Sequence, residues 1–328
     1  MKIRQGCIAS IIYGVIAAFA FASAPLQAYP DKPVKLIVPY PPGGATDMVG
    51  RVLAEQLRKD LGQPVVVENK PGANTAIGAA LVAAAAPDGY TILFASSASL
   101  VLNPLLRSKL SYDPERDFAP IARLAGVPLV MVVNPSVVPA KTIGEFLSYA
   151  KTRPVSLSYA SVGIGNPIHL ATELFKSQSG IELLHVPYNG SAPALLALMA
   201  GDVQVFFDVV STSLPHIRSG KLRALGVTTR ERMKVLPEVP TIAESGYPGY
   251  EAAAWYAIAV PKKTPPEIVT QLNASINKVL ADRAFRDQLE NLGLVVYAPN
   301  TLREFADFIA KEHVAWQKLI KDKQISLD

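Results

Sequence analysis

Two glycine-lined stretches hold the residues best suited to chemistry. In VPYPPGGATD, residues 38–47, an apolar run ends at Tyr40, two prolines follow, and Gly43, Gly44, Ala45, Thr46 and Asp47 lead straight into amphipathic periodicity. In SYASVGIGNPIHL, residues 158–170, a second apolar run ends at Ser161. Gly163, Gly165 and Asn166 then lead to Pro167, with His169 one turn into the next amphipathic segment. Glycine removes the side chains that would screen main-chain N–H groups, and the first turn of a helix leaves such groups unpaired at the positive end of its dipole. Each stretch therefore reads as a cup for an anion. A buried carboxylate loses several kcal/mol of hydration, which three or four N–H bonds at about 1.5–3 kcal/mol each offset. No Lys follows the glycines, so neither stretch is a Walker-type phosphate loop, and the spacing departs from G-x-G-x-x-G. The plainer reading of the first stretch is a tight turn with Thr46 as cap and Asp47 as first-turn acid.

Other residues share the same strand-end position. Ser96 and Ser97 close the run TILFASS, and Asp208 closes VQVFFD. The serines can donate to a ligand or serve as turn residues; Asp208 can order a ligand group or cap a neighbouring element. Tyr40 offers an aromatic wall. The four histidines, His169, His185, His216 and His313, do not pair at metal-ligand spacing, and no metal or cofactor is expected. G-x-S-x-G and H-E-x-x-H are both absent, which argues against a hydrolase.

Short β-rich runs bounded by Pro, Gly or Asp must position these residues: VKLIVPY, PVVVEN and YTILFAS first, then VSLSYAS, IELLHVPY, VQVFFDVV and LRALGVTT. Longer helical patterns alternate with them. The first places Val49, Val52, Leu53, Leu57 and Leu61 on one face, with Glu55 and Lys59 facing each other a turn apart. Late helices are expected at 265–281, 282–292 and 301–324. The alternation predicts an α/β fold with parallel-rich sheets covered by helices on both faces. Two apolar strands, near 127–134 and 252–260, have no obvious partner in their own series. They mark two crossovers between domains at 29–130 plus 256–328 and at 131–255. Two crossovers make a hinge, and a hinge makes a cleft.

Composition bounds the rest. Half of the 328 residues are hydrophobic, enough for a large core. Lys2 and Arg4 precede an apolar run at 8–21 and a small-residue stretch at 22–28, the pattern of a secretory signal cleaved after Ala28. The sole cysteine, Cys7, falls inside that leader, so the mature chain has no disulfide, thiolate metal site or catalytic thiol. Removing Lys2 and Arg4 leaves 30 basic against 27 acidic residues, a net charge near +3, with no basic run for nucleic acid. The expected product is a monomer in the periplasm.

The order VPYPPGGATD, SVGIGNPIHLATELF, HVPYNGSAPALLALMAGDVQVFFD, LPHIRSGKLRALGVTTRER, VPTIAESGYPGYE and WYAIAVPKKTPPEIV resembles the Bug family of extracytoplasmic solute receptors, the substrate-binding proteins of tripartite tricarboxylate transporters. The resemblance covers essentially the whole mature chain. It implies a two-domain periplasmic binding protein of the Venus flytrap type that closes on a small mono- or dicarboxylate. It also implies that the ligand is held by the loop at 40–47 and the loop at 161–166, partly through ordered water. Where relatives carry Asn after the Asp of the FFD strand this chain has Val209, so that side of the pocket differs. Implied partners are the membrane components of the transporter; a sensor kinase of a two-component system is the alternative, since both would read the same closed shape.

Overall fold

Strand β1, Val34–Val38, leads through the first glycine-lined loop into helix α1, Ala45–Leu61. The computed structural model describes residues 29–153 and 157–327; the leader expected at 1–28 lies outside the described residues. Helix α1 ends because Gly62 takes the left-handed conformation at its C-cap. Its buried face carries Val49, Leu53, Leu57 and Leu61. On the outer face Arg58, rather than Lys59, engages Glu55, through two hydrogen bonds of 2.8 and 2.9 Å. The guanidinium fork matches the carboxylate geometry as an ammonium cannot, and Lys59 turns to Gln56 instead.

The first half of the molecule continues with β2 (Val65–Asn69), α2 (Ala76–Ala83), β3 (Thr91–Ser96) and a π-helical turn at Ala98–Leu102. Short helices α3 (Asn103–Leu106) and α4 (Pro114–Asp117) lead to β4, Phe118–Val133. The second half holds α5 (Ile143–Lys151), β5 (Ser158–Ser161), α6 (Pro167–Ser179), β6 (Leu184–Pro187), α7 (Ser191–Ala200), β7 (Val205–Val209), α8 (Val210–Arg218) and β8 (Arg223–Val227). The chain then returns through β9 (Ala253–Pro261), α9 (Pro266–Ala281), α10 (Arg283–Asn291), β10 (Val295–Val296) and α11 (Leu302–Asp322).

The strands join in the order β2-β1-β3-β9-β4-β7-β5-β6, with β8 and β10 also pairing on β4. Pairing is parallel in the outer part of each half, β2-β1-β3 and β7-β5-β6, where helices provide the crossovers. The strands that pass between halves, β4 and β9, run antiparallel to their neighbours, because each enters directly from the other half. Strand β4 changes partner along its length. Residues 118–128 pair with β9, and 129–133 pair with β7 and β8. It is one continuous strand serving two sheets.

Both faces of the first half-sheet are buried, as a parallel sheet requires. Val34, Leu36 and Val38 pack with α1 and α9, while Ile37 faces the opposite way into a core that runs on through Phe118, Phe175, Phe206, Trp255 and Phe305 of both halves. Helix α11 starts with a capping box between Thr301 and Glu304 and lays Phe305, Trp316, Leu319 and Ile320 onto that shared core. Among the described residues no helix is long and apolar enough to cross a membrane.

Candidate functional site

At the carboxyl edge of the first half-sheet, Gly43 has φ +80°, a turn that favours glycine. Its N–H donates to Asp47 Oδ2 at 2.9 Å, and Arg51 Nε and Asn69 Nδ2 donate to the same carboxylate at 3.0 and 2.9 Å. Burial raises the Asp47 carboxyl, but these bonds from Arg51, Gly43 and Asn69 outweigh it and hold the group below the usual carboxylate range. Asp47 thus faces back into its own loop and braces it. Gly44, the N-cap of α1, receives no side-chain cap, so the helix start is left to whatever approaches it. Behind the loop, Tyr40 Oη donates to Ser96 Oγ at 2.9 Å, and Thr46 Oγ1 and Tyr256 Oη lie 2.6 Å apart. The Tyr40 and Tyr256 rings meet edge to face. Burial pushes the Tyr256 hydroxyl up to about 12, so it remains a neutral donor. Ser97 Oγ is buried without a hydrogen-bond partner. Helix α2 approaches the loop closely because Gly78 has no Cβ; one placed there would lie 2.7 Å from Pro39 Cβ and 2.9 Å from the Lys70 carbonyl.

The second glycine-lined loop is arranged differently. Asn166 Oδ1 accepts from the Ile168 N–H at 3.0 Å and so caps α6 itself. Gly165 N–H donates to His169 Nδ1, Gly163 N–H donates to Ser161 Oγ, and Ser161 Oγ lies 2.6 Å from His185 Nε2. The two imidazoles are 4.4 Å apart, and His185 stacks on Tyr159. Burial first, then the neighbouring His185, lowers His169 to about 4, which keeps its ring neutral and accepting. The loop rests on the first half of the molecule: a Cβ at Gly165 would be 2.7 Å from Leu106 Cδ1 and 3.1 Å from Leu327 Cδ1.

Asp208, fully buried, accepts from Ser191 Oγ at 2.6 Å, Thr212 Oγ1 at 2.6 Å and Ser213 Oγ at 2.7 Å. Burial raises its pKa against the pull of those three hydroxyls. The carboxylate ties the start of α7 to the start of α8. It positions donors and does not reach into a cleft.

Between the halves lies a cavity of about 190 Å³, bounded by Met48, Val49, Val127, Tyr256, Leu292 and Leu294 on one side and Val209, Ser211 and Thr212 on the other. The start of α1 thus faces the start of α8. Val209, the N-cap of α8, offers no side-chain cap, and Ser211 Oγ is buried without a partner. Of the loop, strand-end and histidine residues expected to hold the ligand, none lines this cavity itself; Val209, where this side of the pocket is expected to differ from relatives, does. Thr46 stands one hydrogen bond behind it through Tyr256, and Asp208 one bond behind it through Thr212. The run VQVFFDVV reads as strand throughout and hides the start of α8; the run Ser211, Thr212, Ser213 after a strand-end acid is the signal that marks it. A larger hollow of about 640 Å³ is lined only by first-half segments, 100–120, Lys262 and 306–313, so it is no site between halves. Among the described residues no three His, Cys, Asp or Glu side chains gather as a metal site would require.

The lining therefore offers hydroxyls and the start of α8 on an apolar floor, with the start of α1 close behind Met48 and Val49, a set that binds and orients but supplies no nucleophile with a paired base. Comparison with known proteins points the same way. Residues 49–325 match the tripartite tricarboxylate transporter family receptor, TctC. Protein BugT of Bordetella pertussis is 38% identical over 316 residues, 95% of this chain and 96% of BugT. An R. palustris protein solved with adipate is similar at a TM-score of 0.83 and 36% identity, covering 91% of this chain and 99% of that one. MatC from Rhodopseudomonas palustris, with bound malate, gives 0.79 and 33%, covering 89% and 100%. Proteins of this type bind their substrates and are not enzymes. The chain belongs to the TctC receptor family and is a periplasmic solute-binding receptor of the TctC/Bug type.

Proposed function

We propose that this receptor captures a small organic carboxylate between its two lobes, 29–130 with 256–328 and 131–255, and delivers it to the membrane components of a tripartite tricarboxylate transporter. The observation that carries this reading is the cavity bounded from opposite halves by the start of α8 after Val209 and by Met48 and Val49 at the end of the first turn of α1, two helices whose starts carry no side-chain cap. Such starts attract an anion, and the nine lining residues include no Lys or Arg that would call for a highly charged ligand. The cavity is smaller than the roughly 300–1,000 Å³ of drug-sized sites, so the ligand is small. Related receptors solved with adipate and malate hold acids of that size.

On the first lobe Met48, Val49 and Tyr256 bound the site, with the loop at 40–47 and Ser96 behind them. On the second, Ser211 and Thr212 bound it, and the loop at 161–166 closes against Leu106 and Leu327. A ligand touching both helix starts binds the closed form better than the open one and shifts the population toward it. The test is a thermal-shift screen of the exported chain against organic acids. An acid at 100 times its dissociation constant adds about 2.7 kcal/mol of stability, a shift of several degrees for a chain of this size. A panel of mono-, di- and tricarboxylates without any shift would overturn the reading.

A further inference from the structure

The cavity between the lobes has three polar side chains in its lining. Ser211 and Thr212 stand at the start of α8, and the Tyr256 hydroxyl is held by Thr46. The remaining boundary is Met48, Val49, Val127, Val209, Leu292 and Leu294, with no cation and no acid among them. Two of these arrive by a close backbone approach. Gly293 takes φ +78°, and a Cβ there would lie 2.9 Å from Val210 Cγ1, so the turn after α10 presses Leu292 and Leu294 onto the start of α8. Met48 is 45% exposed in spite of its apolar side chain, an adaptable thioether one helical turn beyond Gly44. A second carboxylate placed against this floor would lose its hydration with no partner to replace it.

We propose that the ligand carries a single carboxylate held by the polar groups of the cavity, Tyr256 together with Ser211 and Thr212 at the start of α8, and an apolar body, aliphatic or aromatic, that lies on Val127, Val209, Leu292 and Leu294. This rests on the carboxylate-receptor reading above and narrows its substrate class.

Hexanoate and adipate make the sharpest comparison, because they share six carbons and differ only in whether the far end is a methyl group or a second carboxylate. Calorimetric titration of the exported chain is expected to show hexanoate bound at least tenfold tighter than adipate, and benzoate at least tenfold tighter than malate. Val209→Thr and, separately, Leu294→Asn are each expected to shrink the hexanoate preference at least threefold. Using two positions guards against one variant failing to fold, which urea unfolding would reveal. Adipate or malate binding as well as or better than its apolar counterpart would overturn the inference and leave the receptor reading intact. A preference untouched by both folded variants would also overturn it. Failure of every acid to bind would remove both readings together.

Discussion

Gly44→Val separates the cost to the fold from the cost to the ligand. Gly44 has φ −82° and ψ 170°, extended backbone that any residue adopts. A Cβ there meets only the Pro41 carbonyl, at 3.8 Å. The exposed side chain strains nothing. Valine is a poorer N-cap than glycine, and the change costs the fold about 1 kcal/mol or less, which lowers Tm by roughly 2–4 °C. On the ligand side, an isopropyl group over the first N–H groups of α1 keeps a carboxylate from about two hydrogen bonds. At about 1.5–3 kcal/mol each for a charged acceptor, binding weakens by roughly 3–6 kcal/mol, a rise in Kd of about 10² to 10⁴. Thermal unfolding reads the first quantity, and calorimetric titration with the acid that gives the largest thermal shift reads the second. Gly43→Val is the wrong control, because φ +80° makes any side chain there cost about 1–2 kcal/mol before a ligand arrives. An unchanged Kd in a folded Gly44→Val receptor would refute the assignment of the α1 start as an anion site.

Asp208→Ala is expected to cost about 2–4 kcal/mol in urea unfolding, since it strands the hydroxyls of Ser191, Thr212 and Ser213; a variant of native stability with altered ligand preference would put the carboxylate in the pocket instead. Gly78→Ala drives a methyl group into Pro39 and the Lys70 carbonyl and should destabilise by about 1–3 kcal/mol, with wild-type stability contradicting that packing. His169 sets a pH dependence whose sign follows from its depressed pKa. Above its ordinary 6.5 the ring is neutral folded or unfolded; as pH falls toward about 4, only the unfolded chain takes the proton. Its contribution is therefore held above about pH 6.5 and lost progressively toward pH 4, by about 3 kcal/mol in all. The difference between wild type and His169→Gln across that window measures it, and parallel curves would show that the ring is not held neutral.

What the sequence makes legible is what neighbouring residues decide. The strand, glycine turn and helix at 34–61 follow from a β-rich run, Pro-Pro-Gly-Gly and a 3.6-residue period, and α11 follows from Thr301, Glu304 and its apolar stripe. Two glycine-lined loops look alike on that scale. Which of them leaves its helix start open depends on one side chain: Asn166 caps α6, whereas nothing caps α1. The α8 start is obscured for the opposite reason. Val209 and Val210 favour a strand by propensity, yet β7 ends at Val209 because the buried Asp208 carboxylate accepts from Thr212 and Ser213 and turns the chain. The cavity draws on segments near 48, 127, 209–212, 256 and 292–294, which only the exchange of partners along β4 and the return through β9 bring together. No local window contains that exchange. An apolar run at 127–133 reads as one strand, and only the register shows that its partner changes between Pro128 and Leu129. On the proposed reading the ligand sits beside that change, where Val127 belongs to one sheet and Val209 to the other, so the apolar floor is complete only while the two halves stand together.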